Sequence, residues 1–218
     1  MNFNLSEEHL MIRDAARDFA QNELLPGVIE RDTNQTFPHE QIKKLGELGF
    51  MGMMVDPNYG GSGLDTLSYV LAMEELSKID ASASVVVSVN NSLVCWGLDT
   101  FGNEEQKAKY LPKLAAGEHI GAFCLSEPEA GSDATSQSTT AVDMGDHYLL
   151  NGTKNWITNG GSCEIAFQPV IASNFISVCN PKFAITINSR SAHQITSCHQ
   201  RICIWLLTFR KPRHNMAK

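Results

Sequence analysis

The chain carries a short apolar run that changes into a polar turn of small residues between Phe123 and Asp133. If the run is a β-strand, alternation places Phe123 and Leu125 on one face and Ser126 on the other. The small residues Ala130–Ser132 then leave backbone amides accessible, and successive amides in a turn bind anions. The pattern predicts a strand that ends in a hydroxyl and is followed by an anion-binding turn.

A second run, Asn155–Thr158, follows about thirty residues later. Trp156 and Thr158 are two positions apart, so a strand would present both on one face. The two runs together offer a flat apolar wall, hydroxyls at Ser126 and Thr158, and the Gly131–Ser132 turn. A flavin dinucleotide needs such a set, because its ring requires a surface and polar partners and its pyrophosphate requires amides. Packing or turn geometry explains each residue alone, and it is their joint occurrence that favours a flavin.

Residues 124–133 and 151–159 resemble the flavin-domain signatures of the acyl-CoA dehydrogenases, and the short-chain, butyryl-CoA type in particular. The resemblance covers roughly residues 1–162, where several separate motifs occur in the family's order. It implies a flavoprotein oxidoreductase of fatty acid metabolism that binds FAD. The residues that the resemblance assigns to the FAD site are Phe123, Leu125, Ser126, Gly131, Ser132, Trp156, Ile157 and Thr158, and Ser132 is also assigned to the bound CoA ester.

The resemblance also implies a reaction, in which an acyl-CoA becomes a trans-2-enoyl-CoA and electrons pass to an electron-transfer flavoprotein. The family removes the α-proton with a glutamate from its C-terminal helical domain, and this domain is expected to be missing from the chain. No residue is therefore assigned as catalytic. Two functions stay open: the N-terminal part of a short-chain dehydrogenase that is homo-oligomeric at full length, or a non-catalytic remnant or interaction module of that family.

The elements that must position these residues are indicated by apolar periodicity. Helical spacing predicts helices over 5–34, 38–49, 66–79, 82–101 and 103–116. From Ile120 the pattern alternates, which predicts strands over 120–126, 138–142, 147–150 and 154–158, with a hairpin turn at Asn151–Gly152. The predicted fold class is α+β: an N-terminal all-α domain followed by the start of an antiparallel, barrel-like β domain.

The composition of the chain changes near residue 162. Residues 1–162 hold 10 Lys and Arg against 23 Asp and Glu, whereas residues 163–218 hold 7 against 1 and contain no glycine. A globular segment without glycine lacks the usual residue for tight turns. We therefore expect a helical domain over 1–120, the first part of the flavin-binding domain over 121–162, and an atypical tail over 163–218. The hypothesis for this tail is that a reading-frame change replaced the family's continuation.

Charge and apolar length argue against several classes of protein. A net charge of −7 disfavours a nucleic-acid-binding protein, which normally carries a basic face. No apolar stretch has the length expected of a membrane span, and the N-terminus has no basic and apolar signal region, so a cytoplasmic protein is predicted. No metal is expected, because the C-x-x-C spacing of a zinc site is lacking among Cys163, Cys179, Cys198, His199 and Cys203.

Overall fold

The computed structural model describes residues 4–144, 147–172, 182–187 and 201–210. The chain divides into two compact units, Met1–Gly121 and Ala122–Lys218. The first unit is helical, and the second contains a β-sheet. A helical part followed by strands is the α+β order that the sequence predicts.

Local capping signals determine where helices of the first unit begin. Ser6 accepts a hydrogen bond from the His9 amide at 3.2 Å, and Asn103 accepts one from the Gln106 amide at 2.9 Å. These side chains satisfy amides that have no partner within the first turn of a helix. The α-helices are α1 (Glu7–Phe19), α2 (Val28–Thr33), α3 (His39–Glu47), α4 (Thr66–Ser77), α5 (Ala81–Ser88), α6 (Trp96–Phe101) and α7 (Glu104–Ala115).

The apolar stripes of these helices meet in one core within the first unit. Its fully buried members come from α1 and the π-helical turn that follows it, from α3, from the segment after α3, and from α4 and α5. Burial of large apolar side chains is the main favourable contribution to the stability of such a unit. The largest of them are Leu24, Ile42, Leu45, Met51, Met53 and Leu76.

A π-helical segment, Val89–Cys95, joins α5 to α6 and makes one continuous helix over Ala81–Phe101. Within the described residues, it alone has the length and apolar composition needed to cross a bilayer, which the sequence analysis did not expect. Of its most apolar window, 61% is buried inside the protein. Burial of this extent is typical of a helix at the centre of a folded core.

The second unit contains a sheet with the strand order β1-β4-β2-β3-β6, and β5 pairs with β4. The pairs β2–β3, β3–β6 and β4–β5 are antiparallel, whereas β2 and β4 run parallel through the pairing of Thr140 with Ile171. The strands are β1 (Gly121–Phe123), β2 (Thr140–Asp143), β3 (His147–Asn155), β4 (Ile165–Ala172), β5 (Lys182–Ile187) and β6 (Arg201–Arg210).

The hairpin turn predicted at Asn151–Gly152 is wrong, because β3 continues through both residues. Thr140 pairs with Asn151 and Asp143 pairs with Tyr148, so the chain reverses between Asp143 and His147 instead. Gly152 has a packing role: a Cβ atom there would lie 2.3 Å from the Thr139 hydroxyl oxygen. The glycine therefore permits a close approach between neighbouring segments.

Candidate functional site

Two segments of the second unit contain the residues that the sequence assigns to the flavin, except Phe123, which lies at the end of β1. One is the Leu125–Ser132 loop, which follows β1, and the other is the Asn155–Thr158 segment, which ends β3. The Asn155 amide donates a hydrogen bond to the Ser126 carbonyl at 2.8 Å. This bond joins the Ser126 backbone to Asn155, the residue that precedes Trp156.

The Leu125–Ser132 loop contains a tight turn before its exposed end. The Glu127 amide donates to the Ala130 carbonyl at 2.9 Å, and the Ala130 amide donates back to the Glu127 carbonyl at 3.1 Å. Gly131 and Ser132 follow this turn and are exposed, and a Cβ atom added to Gly131 would have no neighbour within 4 Å. The backbone here is open to a ligand approaching from outside the unit.

Asp133 ends this loop and holds the short helical turn that comes next. Its carboxylate accepts hydrogen bonds from the Ser136 hydroxyl at 2.5 Å and from the Thr135 hydroxyl at 2.5 Å. These bonds, with those of the backbone amides, lower the pKa of Asp133 below its usual value. The carboxylate is therefore engaged in holding this turn.

Trp156 differs from its prediction in backbone and exposure. Its φ is +59°, so β3 ends at Asn155, and the expected strand over 154–158, with Trp156 and Thr158 on one face, is wrong. The indole is 72% exposed. A bulky residue with positive φ is an outlier that persists where the surrounding structure holds it, and such outliers cluster at binding and catalytic sites.

The other assigned side chains are half-buried and partly engaged in packing. Phe123 stacks on Phe167, with ring centroids 5.9 Å apart and an angle of 28° between the planes. Ile157 packs against the small cluster of Ala122, Cys124 and Cys163, so part of its surface belongs to the core. Leu125, Ser126 and Thr158 are also half-buried.

A buried ion pair beneath the two segments was not found by sequence reasoning. The Lys154 ammonium lies 2.7 Å from a Glu127 carboxylate oxygen, and the two side chains are 0% and 2% exposed. Burial alone would raise the pKa of Glu127, but hydrogen bonds from Lys154, Thr139 and Ser138 outweigh it and lower the pKa to about 2. No sequence signal distinguishes this lysine, because lysines are rarely buried and are expected at the surface.

Each further buried carboxylate in the part of the chain that the structure describes also has a cationic partner. Glu75 lies 3.1 Å from Arg17 and 3.0 Å from Lys78, and Asp80 lies 3.0 Å from Arg31. The hydrogen bond from Arg17 is the main cause that lowers the pKa of Glu75 to about 2. A general base needs a pKa near the working pH, and neither Glu75 nor Glu127 has that property.

The sequence predicts no zinc site. Residues 4–142, Met144 and residues 149–169, whose side chains the structure describes, contain no cluster of three or more His, Cys, Asp or Glu suited to a metal ion. Cys163 is buried there as a free thiol. The side chains of Cys179, Cys198, His199 and Cys203 lie outside the described residues.

Comparison with protein-family models gives two adjacent matches along the chain. The model described as "Acyl-CoA dehydrogenase, N-terminal domain" matches residues 6–118, and the one described as "Acyl-CoA dehydrogenase, middle domain" matches residues 122–179. The chain belongs to the acyl-CoA dehydrogenase family. The middle-domain match continues to residue 179, whereas the sequence analysis placed the end of the resemblance near residue 162.

Individual relatives support the same family. The short-chain-specific acyl-CoA dehydrogenase of Clostridium acetobutylicum is 48% identical over 164 residues, which are 75% of this chain and 43% of that protein. A chain from a structure of the electron transferring flavoprotein of Acidaminococcus fermentans is 49% identical, with a TM-score of 0.76 over 78% of this chain and 45% of that one. An acyl-CoA dehydrogenase complexed with FAD, from Bacillus anthracis, is 35% identical, with a TM-score of 0.78 over 84% and 32%.

The chain spans less than half the length of the curated relatives that it matches. It covers 43% of the Clostridium acetobutylicum protein and 32% of the Bacillus anthracis chain. The matched part contains the helical unit and the two candidate flavin segments.

Proposed function

We propose that the chain forms the FAD-binding part of a dehydrogenase that converts a short-chain acyl-CoA to the trans-2-enoyl-CoA. The observation that carries the proposal is the Asn155–Ser126 hydrogen bond of 2.8 Å, which joins the two segments. The bond fixes Asn155 against the Leu125–Ser132 loop. Trp156, whose indole is exposed, is the next residue of the chain. Short-chain substrates and FAD are named for the relatives from Clostridium acetobutylicum and Bacillus anthracis, respectively.

The described residues fit FAD in two respects. The Trp156 side chain is 72% exposed, so its flat apolar face is available to a planar ring. Gly131 has open space where a side chain would stand, so its backbone can be approached closely by a charged group.

Each segment then has a distinct task in the proposal. Trp156 covers one face of the ring, with Phe123, Leu125 and Ile157 along its apolar border. The hydroxyls of Ser126 and Thr158 hydrogen-bond polar ring atoms, while Gly131 and Ser132 present backbone and hydroxyl donors to the pyrophosphate or the CoA ester. FAD, when bound, supplies the acceptor for a hydride from the substrate.

A second candidate function is a non-catalytic binding or interaction module of the same family. The observation that favours it is the pairing of Glu75, Asp80 and Glu127 with cations, since this leaves none of the described buried carboxylates available as a base. Such a module would bind FAD without oxidising an acyl-CoA. The two candidates therefore differ in chemistry and share the flavin site.

The partners and the location of the protein are proposals of the same kind. An electron-transfer flavoprotein is the proposed electron acceptor, since a similar chain occurs in a structure described for such a protein. A homo-oligomer is proposed for the full-length protein, and a cytoplasmic location is retained from the sequence prediction.

Titration of the purified chain with FAD tests the proposal, followed by anaerobic addition of butyryl-CoA. We expect FAD to be retained after gel filtration, with its visible absorption band intact. Bleaching of this band by butyryl-CoA would support the dehydrogenase, because flavin reduction removes the band. Retained FAD without bleaching would support the flavin site alone, because a chain that supplies no base cannot reduce the flavin with butyryl-CoA, and absence of FAD binding would contradict both candidates.

A further inference from the structure

The Lys154–Glu127 pair lies where the two candidate flavin segments are anchored. Lys154 is the second-to-last residue of β3 and immediately precedes the Asn155–Thr158 segment. Glu127 belongs to the Leu125–Ser132 loop and begins the turn that leads to Gly131 and Ser132. A single contact between these side chains thus connects the ring side of the candidate site with its pyrophosphate side.

The Lys154 ammonium contacts two backbone carbonyl oxygens in addition to the Glu127 carboxylate. It lies 3.3 Å from the Leu125 carbonyl and 3.0 Å from the Pro169 carbonyl of β4, in addition to Glu127 at 2.7 Å. The Gln137 side-chain oxygen is more distant, at 3.4 Å. An ammonium has three donors, and the three nearer oxygens match that number. The side chain therefore fastens the start of the loop to both β3 and β4.

Glu127 is equally engaged on its own side. Its carboxylate accepts a hydrogen bond from the Ser138 amide at 2.6 Å and from the Ser138 hydroxyl at 3.0 Å, and the Thr139 amide donates at 3.2 Å. These donors lie just before β2. Buried hydrogen bonds of this number hold the carboxylate in one position, because its oxygens would lose these donors in any other arrangement.

We propose that Lys154 and Glu127 are positioning residues that fix the distance between the Trp156 side and the Gly131–Ser132 side of the flavin site. The inference rests on the proposed function for its ligand, but the geometry that it describes exists without one. Neither side chain touches the ligand in this proposal. They keep the two segments in the binding arrangement before FAD arrives, so that FAD binding does not incur the entropy cost of ordering them.

The test compares Lys154→Met with the double variant Lys154→Met/Glu127→Gln in the full chain. The single variant leaves a buried carboxylate without its cation and is expected to lose stability. The double variant removes both charges, while the side-chain amide oxygen introduced by Glu127→Gln can still accept from Ser138 and Thr139. Buried ion pairs replaced as a whole often regain stability, so this variant keeps the test valid if the single variant folds poorly.

Two measurements are made on each variant: amide hydrogen exchange at Asn155 and Ala130 without ligand, and FAD affinity by titration. We expect faster exchange at both amides in both variants, and an FAD affinity about tenfold lower, as for other residues that support a site without touching its ligand. Leu150→Ala is the matched control, because Leu150 is a fully buried apolar residue of the same strand, four residues before Lys154, and takes no part in the ion pair. It should lower the melting temperature with little effect on FAD affinity.

The outcomes separate the inference from the proposed function. Exchange at Asn155 and Ala130 that stays at the wild-type rate in the double variant would overturn the inference, whether or not FAD binds. Equal FAD affinity in the wild type and the double variant would overturn it as well. A wild-type chain that fails to bind FAD would refute the proposed function, and the exchange rates alone would then decide whether the pair positions the two segments.

Discussion

At the scale of single residues, the exposed indole of Trp156 carries the largest share of the proposed ring contact. Stacking of a base on an aromatic side chain contributes about 1–3 kcal/mol, so Trp156→Ala should weaken FAD binding by about tenfold or more. Because the side chain is 72% exposed, the free energy of unfolding should change by only about 0.5 kcal/mol. Titration with FAD and urea unfolding measure the two quantities.

Trp96 provides the matched control for this prediction. It is 54% exposed, lies in α6, and contacts Phe101 edge-on with ring centroids 5.7 Å apart. Trp96→Ala removes the same side chain from the other unit. An equal loss of FAD affinity in both variants would show that the effect is not local to the Asn155–Thr158 segment.

Glu75 gives a prediction about pH dependence. Its pKa is lowered to about 2 in the folded protein, chiefly by the hydrogen bond from Arg17, against a usual value of 4.5. The carboxylate therefore stabilises the fold above about pH 5, and this contribution is lost as pH falls toward 2. Glu75→Gln should lower the free energy of unfolding by about 1–2 kcal/mol at pH 7, a modest value because Arg17 and Lys78 are about half exposed and solvent screens them.

Urea unfolding of both proteins between pH 7 and pH 2 checks this. The difference between wild type and Glu75→Gln should narrow as the pH falls from about 5 toward 2, because the unfolded wild-type chain binds a proton at Glu75 that the folded carboxylate binds only near pH 2. A difference that stays constant down to pH 2 would show that the ion pairs of Glu75 are not the source of the effect.

At the scale of elements, the buried amide of Asn91 ties the long central helix to the segment after α3. Its side chain accepts from the Met53 amide at 2.8 Å and donates to the Phe50 carbonyl at 2.9 Å. Asn91→Leu leaves both backbone groups buried without these partners, which should cost about 2–4 kcal/mol of unfolding free energy. Chemical denaturation measures this loss.

Ser92→Ala is the control for Asn91, because the Ser92 hydroxyl bonds the Ser88 carbonyl of its own helix at 2.8 Å and is half-buried. We expect a change of about 0.5 kcal/mol or less. Asn91→Leu and Ser92→Ala that lose similar amounts of unfolding free energy would contradict the prediction. Such a result would show that substitution in this helix is destabilising in itself, whether or not bonds to the segment after α3 are lost.

The sequence predicted helices better than strands, and the reason is physical. The predicted helices over 66–79 and 103–116 correspond to α4 and α7, because caps such as Asn103 and apolar spacing are local signals. Strand ends depend on partners far along the chain. Asn151–Gly152 has the composition of a hairpin turn, yet its pairing with Thr140 keeps it within β3.

The candidate flavin site stays a prediction. Its two segments were chosen by residue type, and the structure joins them by the hydrogen bond between the Asn155 amide and the Ser126 carbonyl. The positive φ of Trp156 and the burial of Lys154 were not predicted. Both are consequences of tertiary packing, which leaves no periodic signal in the sequence.

At the scale of the whole molecule, the change in composition near residue 162 is the most unusual feature of the chain. Residues 163–218 contain no glycine and a single acidic residue. If a reading-frame change caused this, translation of the other two frames downstream of codon 162 should yield a segment that continues the family's pattern. Two alternative frames without any such resemblance would refute the hypothesis.

The central claim is that the Leu125–Ser132 loop and the Asn155–Thr158 segment together hold a flavin. Amide hydrogen exchange of the wild-type chain with and without FAD tests it most directly, because it locates the ligand along the backbone. We predict that FAD slows exchange most strongly in these two segments, while exchange within α1 and α4 stays unchanged. Bound FAD that leaves both segments unprotected would contradict the account.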